Sequence, residues 1–407
     1  MHAEVAVTGL GLVTPAGHTA QANWAALCRG RSLARPDPEL AGLPVDFSCR
    51  VTEFDAAAEL GRSLARRADR FVHFALVAAR RAVADARLDP ASWAAERVGV
   101  VLGVGSNCLS TYVTEFGHLG AGRSERVSPL ALPRSVPNMA AGEVAIDLGA
   151  QGPNFTTSSA CASGATAIGV ARDLLRSGTC DIVLAGGSES GRSRMTATCF
   201  TRMRALSRRR ERPELASRPF DAARDGFVLG EGAAVLVLER LTHARARGAA
   251  AQALLRGYGA GSDARHPVAP DPTGAGAARA VRAALRDGAC AARDVGLVNA
   301  HGTSTPLSDA AEAAALTSVF GDRVPPVTAA KGVIGHALGG AGAIQAAYTV
   351  LALRHALVPP VANFEAGDGE HRLDVVAARP RPVSASAGIS CSFGFGGQNA
   401  VLLFSTA

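Results

Sequence analysis

The sequence predicts an α/β fold of stacked layers, on three observations. Short β-rich runs alternate with alanine-rich helical stretches along all 407 residues, the pattern of sheets covered by helices. Hydrophobic residues make up 48% and charged residues 19%, ordinary globular usage that excludes a disordered scaffold or a fibre and supplies a large core. No repeat of about 20–50 residues is visible, which removes solenoids and propellers.

Taken in order, Val5-Ala6-Val7 reads as the first strand, directly after Met1-His2-Ala3-Glu4. That start has neither a basic region nor a cleavage signal, so a cytoplasmic protein is expected. Residues 98–102 and 154–160 read as strands, and 162–175 has helical periodicity that ends at Ser177-Gly178. Residues 182–185 and 233–238 are further strands. The stretch 257–276, with Pro267, Pro270 and Pro272, is the nearest approach to a boundary and divides the chain into 1–256 and 257–407. Beyond it, 295–300 is a strand followed by a helix from near Asp309, and 326–330 is a strand followed by a helix from about Ala341. The longest apolar candidate for a membrane span, 343–358, is interrupted by Gln345, Arg354 and His355 and falls short of the roughly 18 clean residues needed. No membrane partner is expected.

The formal net charge of +7 favours acidic partners. Nucleic acid is set aside, because aromatics are only 5%, the arginines are not interleaved with stacking rings, and no helix-turn-helix, zinc-finger or RNA-binding signature appears. An acidic protein partner is expected instead. The eight cysteines, at 28, 49, 108, 161, 180, 199, 290 and 391, are scattered. None forms Cys-x-x-Cys or finger spacing, so neither structural zinc nor a disulfide framework is expected. Lys331 is the only lysine in an arginine-rich chain, which suggests a position that requires a compact ammonium against a carboxylate.

The chemistry gathers in three loops. Cys161 sits at a strand-to-helix turn, where helix amides and the macrodipole are expected to lower a thiol pKa from about 8.5 and to hold an oxyanion. The bland alternative is an inert buried cysteine. His301, in His301-Gly302-Thr303-Ser304-Thr305, and His336, which closes the segment 331–336, follow two further strands. Loops beyond the carboxyl ends of strands are where open α/β sheets build sites, and here three of them offer Cys, His and His. Glu312 has two readings, as a partner of Lys331 or as part of a capping box at Asp309-Ala310-Ala311-Glu312. The glycines of Ser392-Phe393-Gly394-Phe395-Gly396-Gly397 read as a mobile loop. No phosphate-binding loop is present, and Gly9-Leu10-Gly11 carries only the first two glycines of a dinucleotide fingerprint.

With these pieces in place the chain resembles the β-ketoacyl-acyl carrier protein synthases, the elongating type of stand-alone fatty acid and type II polyketide systems. The matching segments span nearly the whole sequence: VAVTGLGLVTPAG, PNFTTSSACASGATAIG, RPFDAARDGFVLGEGAAVLVLE, NAHGTSTPLSDAAE, AAKGVIGHALGGAGA and SFGFGGQNA. The resemblance implies a thiolase fold, two similar βαβαβ-type halves in five α-β-α-β-α layers, generally a dimer. It implies that Cys161 takes the acyl chain as a thioester, that His301 and His336 promote decarboxylation of malonyl-carrier, and that Lys331 and Glu312 support them electrostatically. The backbone amides of Cys161 and Phe395 would form the oxyanion hole, with Phe395 as acyl gate. Thr303 and Thr305 would contact phosphopantetheine, and Ser106 and Phe200 would belong to the acyl pocket. Arg62, Arg66, Arg67, Arg204 and Arg208 would form a basic rim for the acidic acyl carrier protein. No bound metal or redox cofactor is implied, since the substrates ride on the carrier's phosphopantetheine.

Departures from the family pattern point to a specialised polyketide or polyene pathway, with housekeeping fatty acid elongation as the alternative. Cys391 stands where close relatives usually have Asn, Gln398 where Thr is common, and Val268 where a pantetheine-contacting Thr is frequent. Ser106 replaces a bulky residue that often closes the acyl pocket. A chain-length-factor subunit shares the fold but lacks the nucleophile, so Cys161 with both histidines argues against it, although such a subunit is a candidate partner in a heterodimer, as a second copy is in a homodimer. A thiolase would use a second cysteine near the C-terminus, but SFGFGG and HGTST do not fit one. Initiating synthases usually carry Asn in place of His336, and a Cys-His hydrolase has only the dyad in its favour.

Overall fold

The computed structural model describes residues 3–106, 109–369 and 372–407; Met1, His2 and Cys108 of the sequence reading lie outside the described residues. Ten strands form the main sheet: β1 (Val5–Val13), β2 (Val98–Gly103), β3 (Asn154–Thr157), β4 (Ile182–Glu189), β5 (Gly232–Arg240), β6 (Ala253–Ser262), β7 (Val295–Asn299), β8 (Val327–Thr328), β9 (Ala387–Gly394) and β10 (Gln398–Ser405). Their spatial order is β8-β7-β9-β10-β6-β1-β5-β4-β2-β3.

From its middle outward this sheet is one motif used twice. In each half the strands run first, fifth, fourth, second, third in chain order, as β1-β5-β4-β2-β3 and β6-β10-β9-β7-β8. The outer strands pair in parallel, β2 with β3 and β4, and β7 with β8 and β9. The inner ones pair antiparallel, and β1 meets β6 through Ala6–Leu254 and Val7–Ala253. The duplication that the resemblance implied is therefore plain in the strand order, and the expected junction at 256/257 falls within β6.

The helices that matter for the site are α1 (Arg62–Arg67), α2 (Arg70–Asp85), α3 (Met139–Leu148), α4 (Ser163–Arg176), α5 (Arg194–Arg202), α6 (Ala275–Asp287), α7 (Pro306–Phe320), α8 (Lys331–Ile334) and α9 (Ala341–His355). Apolar faces assign the layers. Phe74 and Ala78 of α2 and Val144 of α3 pack on Leu102 and Val235, covering one outer face. Val281 of α6 and Leu316 of α7 pack on Val298 and Ile389, covering the other. Between the half-sheets lie α4 and α9, with Ile168 and Tyr348 in a core shared with Leu236 and Phe404. The result is α-β-α-β-α. Every residue of α9 from Ala341 to Leu353 is buried, as expected of a helix that is apolar on all sides. No helix among the described residues is long and apolar enough to cross a membrane.

The two central helices touch at glycines. A Cβ on Gly164 would lie 2.7 Å from the Ala343 amide nitrogen, and one on Gly342 would lie 2.7 Å from that of Ala165. Both glycines are the second residue of their helix, so this close approach sets the two helix N-termini side by side, and with them the loops that carry Cys161 and His336.

Element boundaries differ from expectation in two informative places. The third strand stops at Thr157 because the chain turns at once into the loop that presents Cys161. Helix α7 begins at Pro306, capped by Thr305, whose Oγ1 accepts from the Ser308 amide at 3.3 Å. Asp309 and Glu312 are thus inside the helix, and the capping-box reading of Glu312 is overturned. Helix α9 begins at Ala341, where it was expected.

Candidate active site

Three loops, each following a parallel strand or short helix, converge on one cavity of about 430 Å³. The Cys161 loop is clamped by Ser163. The Ser159 amide donates to Ser163 Oγ at 2.9 Å, and Ser163 Oγ donates to the Ala160 carbonyl at 2.6 Å. Ala160, just before the nucleophile candidate, holds φ +50°, a left-handed conformation that costs a non-glycine residue about 1–3 kcal/mol. Ser304 (φ +70°) and Leu338 (φ +43°) are held the same way in the loops of His301 and His336. Backbone strain therefore marks all three loops.

The Cys161 amide and the Phe395 amide both donate toward the thiol sulfur, the pair the resemblance put in an oxyanion hole. The expected lowering of the thiol pKa is not found. Burial pushes Cys161 up to about 11, with Lys331 opposing and Glu189 adding to the rise. Helix α4 starts two residues later, at Ser163, and burial of the sulfur is the leading cause of the rise. Cys161 retains partial exposure to the cavity, so its proton has a route out during reaction.

Both histidines are buried, and burial, with Lys331 nearby, holds each well below the ordinary histidine value. They are neutral at pH 7. His336 Nδ1 accepts from the Leu338 amide at 3.2 Å, and His301 Nδ1 faces the Lys331 ammonium at 3.3 Å. In a neutral ring an acceptor Nδ1 leaves the hydrogen on Nε2, so both histidines keep an Nε2–H donor for the cavity. The rings stand edge to face, 5.4 Å between centroids and at 85°.

Glu312 does not pair directly with Lys331. Its two carboxylate oxygens accept from the His301 and Gly302 amides, each at 2.7 Å, and so shape the turn that presents His301. Burial raises its pKa, and the Lys331 charge acts through space to lower it. Lys331 instead donates to His301 Nδ1, the His301 carbonyl oxygen and Gln345 Oε1. Thr303 and Thr305 share a 2.9 Å hydroxyl contact at the cavity wall.

The cavity brings together Cys161, His301, His336, Glu312, Thr303, Thr305, Phe395, Phe200 and Arg204. Phe200 lies 6.0 Å from Phe395, centroid to centroid. Ser106 lies outside the lining, with its hydroxyl donating to Glu189 Oε1 at 3.0 Å. Arg204 stands at the rim, whereas Arg62, Arg66 and Arg67 are carried on α1 and Arg208 on the exposed loop beyond α5. Arg67 is held by Glu143 at 2.7 Å.

Two buried polar residues escaped the sequence reading. Glu189 accepts from the Gly105 and Ser106 amides at 2.9 and 3.0 Å as well as from Ser106 Oγ, and burial pushes its pKa up to about 7. Gln345 lies behind His301. For Gln345 the available signal was an isolated polar residue inside a continuous apolar run, since such a residue is buried only with partners.

Comparisons with known proteins agree with this geometry. The family model described as Beta-ketoacyl synthase, N-terminal domain, matches residues 2–244, and Beta-ketoacyl synthase, C-terminal domain, matches residues 252–365. A Synechocystis protein named 3-oxoacyl-[acyl-carrier-protein] synthase 2 is 41% identical, over 98% of this chain and 97% of that one. The ishigamide ketosynthase/chain length factor superposes with a TM-score of 0.94 at 33% identity, covering 100% of both chains. A type II polyketide ketosynthase solved with its acyl-carrier protein and bound to the hexaketide superposes with a TM-score of 0.93 at 28% identity, again over 100% of both chains.

Proposed function

Because the chain belongs to the β-ketoacyl synthase family, we propose that it is a condensing acyltransferase whose nucleophile is Cys161. The observation that carries this reading is the convergence of Cys161 and two neutral histidines, each with a free Nε2–H, on one cavity.

In the first half-reaction Cys161 Sγ attacks the thioester carbonyl of an acyl-carrier protein. The Sγ–carbon bond forms, the carrier's carbon–sulfur bond breaks, and the thiol proton leaves with the phosphopantetheine sulfur. The Cys161 and Phe395 amides hold the negative charge that develops on the thioester oxygen. Phe395 acts as the gate beside the acyl chain, with Phe200 shaping its pocket.

In the second, malonyl-carrier enters along Thr303 and Thr305. His301 and His336 donate their Nε2–H to its thioester oxygen, and as carbon dioxide departs the electron pair is held as an enolate. The enolate carbon attacks the acyl-enzyme carbonyl, Cys161 leaves as thiolate and takes a proton from solvent to restore the thiol, and β-ketoacyl-carrier is released. Lys331, with Glu312 supporting the His301 turn, keeps that histidine in the donating tautomer. These steps move protons and acyl groups alone, so the reading calls for no resident metal or redox cofactor.

The basic rim of Arg204, with Arg62, Arg66, Arg67 and Arg208, receives the acidic carrier protein. The free edge of the sheet at β3, exposed at Asn154 and Phe155 beside α3 with its exposed Ile146, receives a second subunit, a copy of this chain or a chain-length factor. Specialised polyketide or polyene elongation is favoured by the likeness to a type II polyketide ketosynthase. The likeness to 3-oxoacyl-carrier synthase 2 favours fatty acid elongation as the second reading.

The test is the intact mass of the protein after exposure to a panel of acyl-carrier thioesters, beside a Cys161→Ala variant. An acyl adduct confined to the parent is expected, and the chains accepted decide the pathway, since a strict preference for ordinary saturated chains selects fatty acid elongation. Equal labelling of parent and variant would overturn the assignment of Cys161.

A further inference from the structure

We propose that Gln345 is a positioning residue for the decarboxylation half-reaction, holding Lys331 against His301 and tying the His301 loop to the strand that ends in the Phe395 loop. The proposal rests on the condensing reading above.

Gln345 lies in the first turn and a half of α9, 2% exposed. Its Nε2 donates to the Ala300 carbonyl at 2.7 Å and to the Cys391 carbonyl at 3.1 Å, and its Oε1 accepts from Lys331 Nζ. Ala300 immediately precedes His301. Cys391 lies on β9, two residues before Phe393, whose ring is 5.8 Å from that of His301. One amide thus joins α8, α9, the end of β7 and the middle of β9. At the base of the same turn the Gln345 carbonyl accepts from Asn299 Nδ2 at 3.1 Å and from Thr349 Oγ1 at 2.9 Å.

The chemistry leaves one orientation for the side chain. An ammonium has three hydrogens and no acceptor, and a carbonyl is an acceptor alone. Gln345 must therefore turn its oxygen to Lys331 and its nitrogen to Ala300 and Cys391. Lys331 spends its other donors on His301 Nδ1 and the His301 carbonyl, so all of its direct partners are neutral. The titratable groups that face it are Glu312, Asp309, Cys161 and Cys391, together with His301 and His336. The side chain at 345 is the remaining direct contact, and its charge sets how firmly Lys331 keeps its proton.

The experiment compares the parent with Gln345→Leu and Gln345→Glu in the full-length protein. It measures acylation of Cys161 from acyl-carrier thioester, malonyl-carrier decarboxylation, and the pH profile of the latter. Gln345→Leu is expected to lower decarboxylation by about 10²-fold, the effect of a displacement of about 1 Å at a reacting group, while acylation stays within about threefold, and its alkaline limb moves to lower pH as Lys331 loses an acceptor. Gln345→Glu keeps the volume, adds an anion beside Lys331 and moves the limb to higher pH. Limbs displaced in opposite directions support the proposal. Limbs left at the parent's position in both variants, or acylation and decarboxylation falling in parallel, overturn it and make Gln345 a packing residue. Parent protein that acylates but never decarboxylates malonyl-carrier would defeat the condensing reading itself, a result visible before any variant is made.

Discussion

Lys331 Nζ lies 3.3 Å from His301 Nδ1 and also donates to the carbonyl oxygen of the same residue, so the only lysine of the chain grips one histidine at two points. Burial, the leading cause, draws its pKa below the ordinary lysine value of 10.5. The ammonium is present below that depressed value and is lost as pH rises through it. Decarboxylation of malonyl-carrier is expected to fall on an alkaline limb centred well under the ordinary value, and Lys331→Ala to lose about 10²-fold while still acylating Cys161. A rate that stays flat into the ordinary lysine range would show that the Lys331 charge is not needed.

Glu189 carries a second pH dependence, of stability. Its pKa in the fold, about 7, lies above the ordinary 4.5 because of burial. A raised carboxyl favours the fold fully below its unfolded value, and that contribution is lost as pH rises through the folded one. Glu189→Gln retains an acceptor for the Gly105 and Ser106 amides and removes the titration. Relative to the parent, the variant is expected to gain on the order of 3 kcal/mol between about pH 5 and pH 8. Urea unfolding midpoints across that range check it, and a constant offset would refute it.

The glycine contact between α4 and α9 leaves no space for a side chain. Besides the Ala165 amide, a Cβ on Gly342 would meet Ala165 Cβ and Ser392 Oγ, each at 3.0 Å. Gly342→Val is expected to destabilise by about 1–3 kcal/mol and to slow both half-reactions together, since it parts the loops of Cys161 and His336. Chemical unfolding and single-turnover acylation measure the two effects.

Arg204 stands exposed at the cavity rim. Arg204→Glu is expected to raise KM for acyl-carrier protein and to flatten its salt dependence, with little change for a small pantetheine thioester. Equal losses on both substrates would place its role inside the cavity instead.

Much of the site was legible in the chain. A cysteine at a strand-to-helix turn and two histidines in glycine-flanked loops stand out because residue type, local geometry and the turn all agree at one position. The helix beginning at Ala341 was equally clear, since its alanine-rich apolar run has a sharp glycine start. Glu312 was ambiguous for a physical reason. A carboxylate three residues after an acidic one satisfies the local capping pattern, and only the path of the chain shows that Thr305 is the cap and that Glu312 turns back to the His301 and Gly302 amides.

The sequence by itself determined the alternation of strands and helices, the absence of a membrane-spanning run and the three chemical loops, because each depends on residues close together in the chain. Tertiary structure decided what depends on distance. The reciprocal approach of Gly164 and Gly342 brings two loops together across 178 positions of sequence, as the numbering of those glycines shows. The thiol pKa of Cys161 rises although local structure argued for a fall, because desolvation is set by everything packed around the sulfur, whereas a helix terminus acts only along its own axis. Lys331 likewise finds His301 and Gln345 in place of Glu312, since the partner of a buried charge is the acceptor that folding sets within reach.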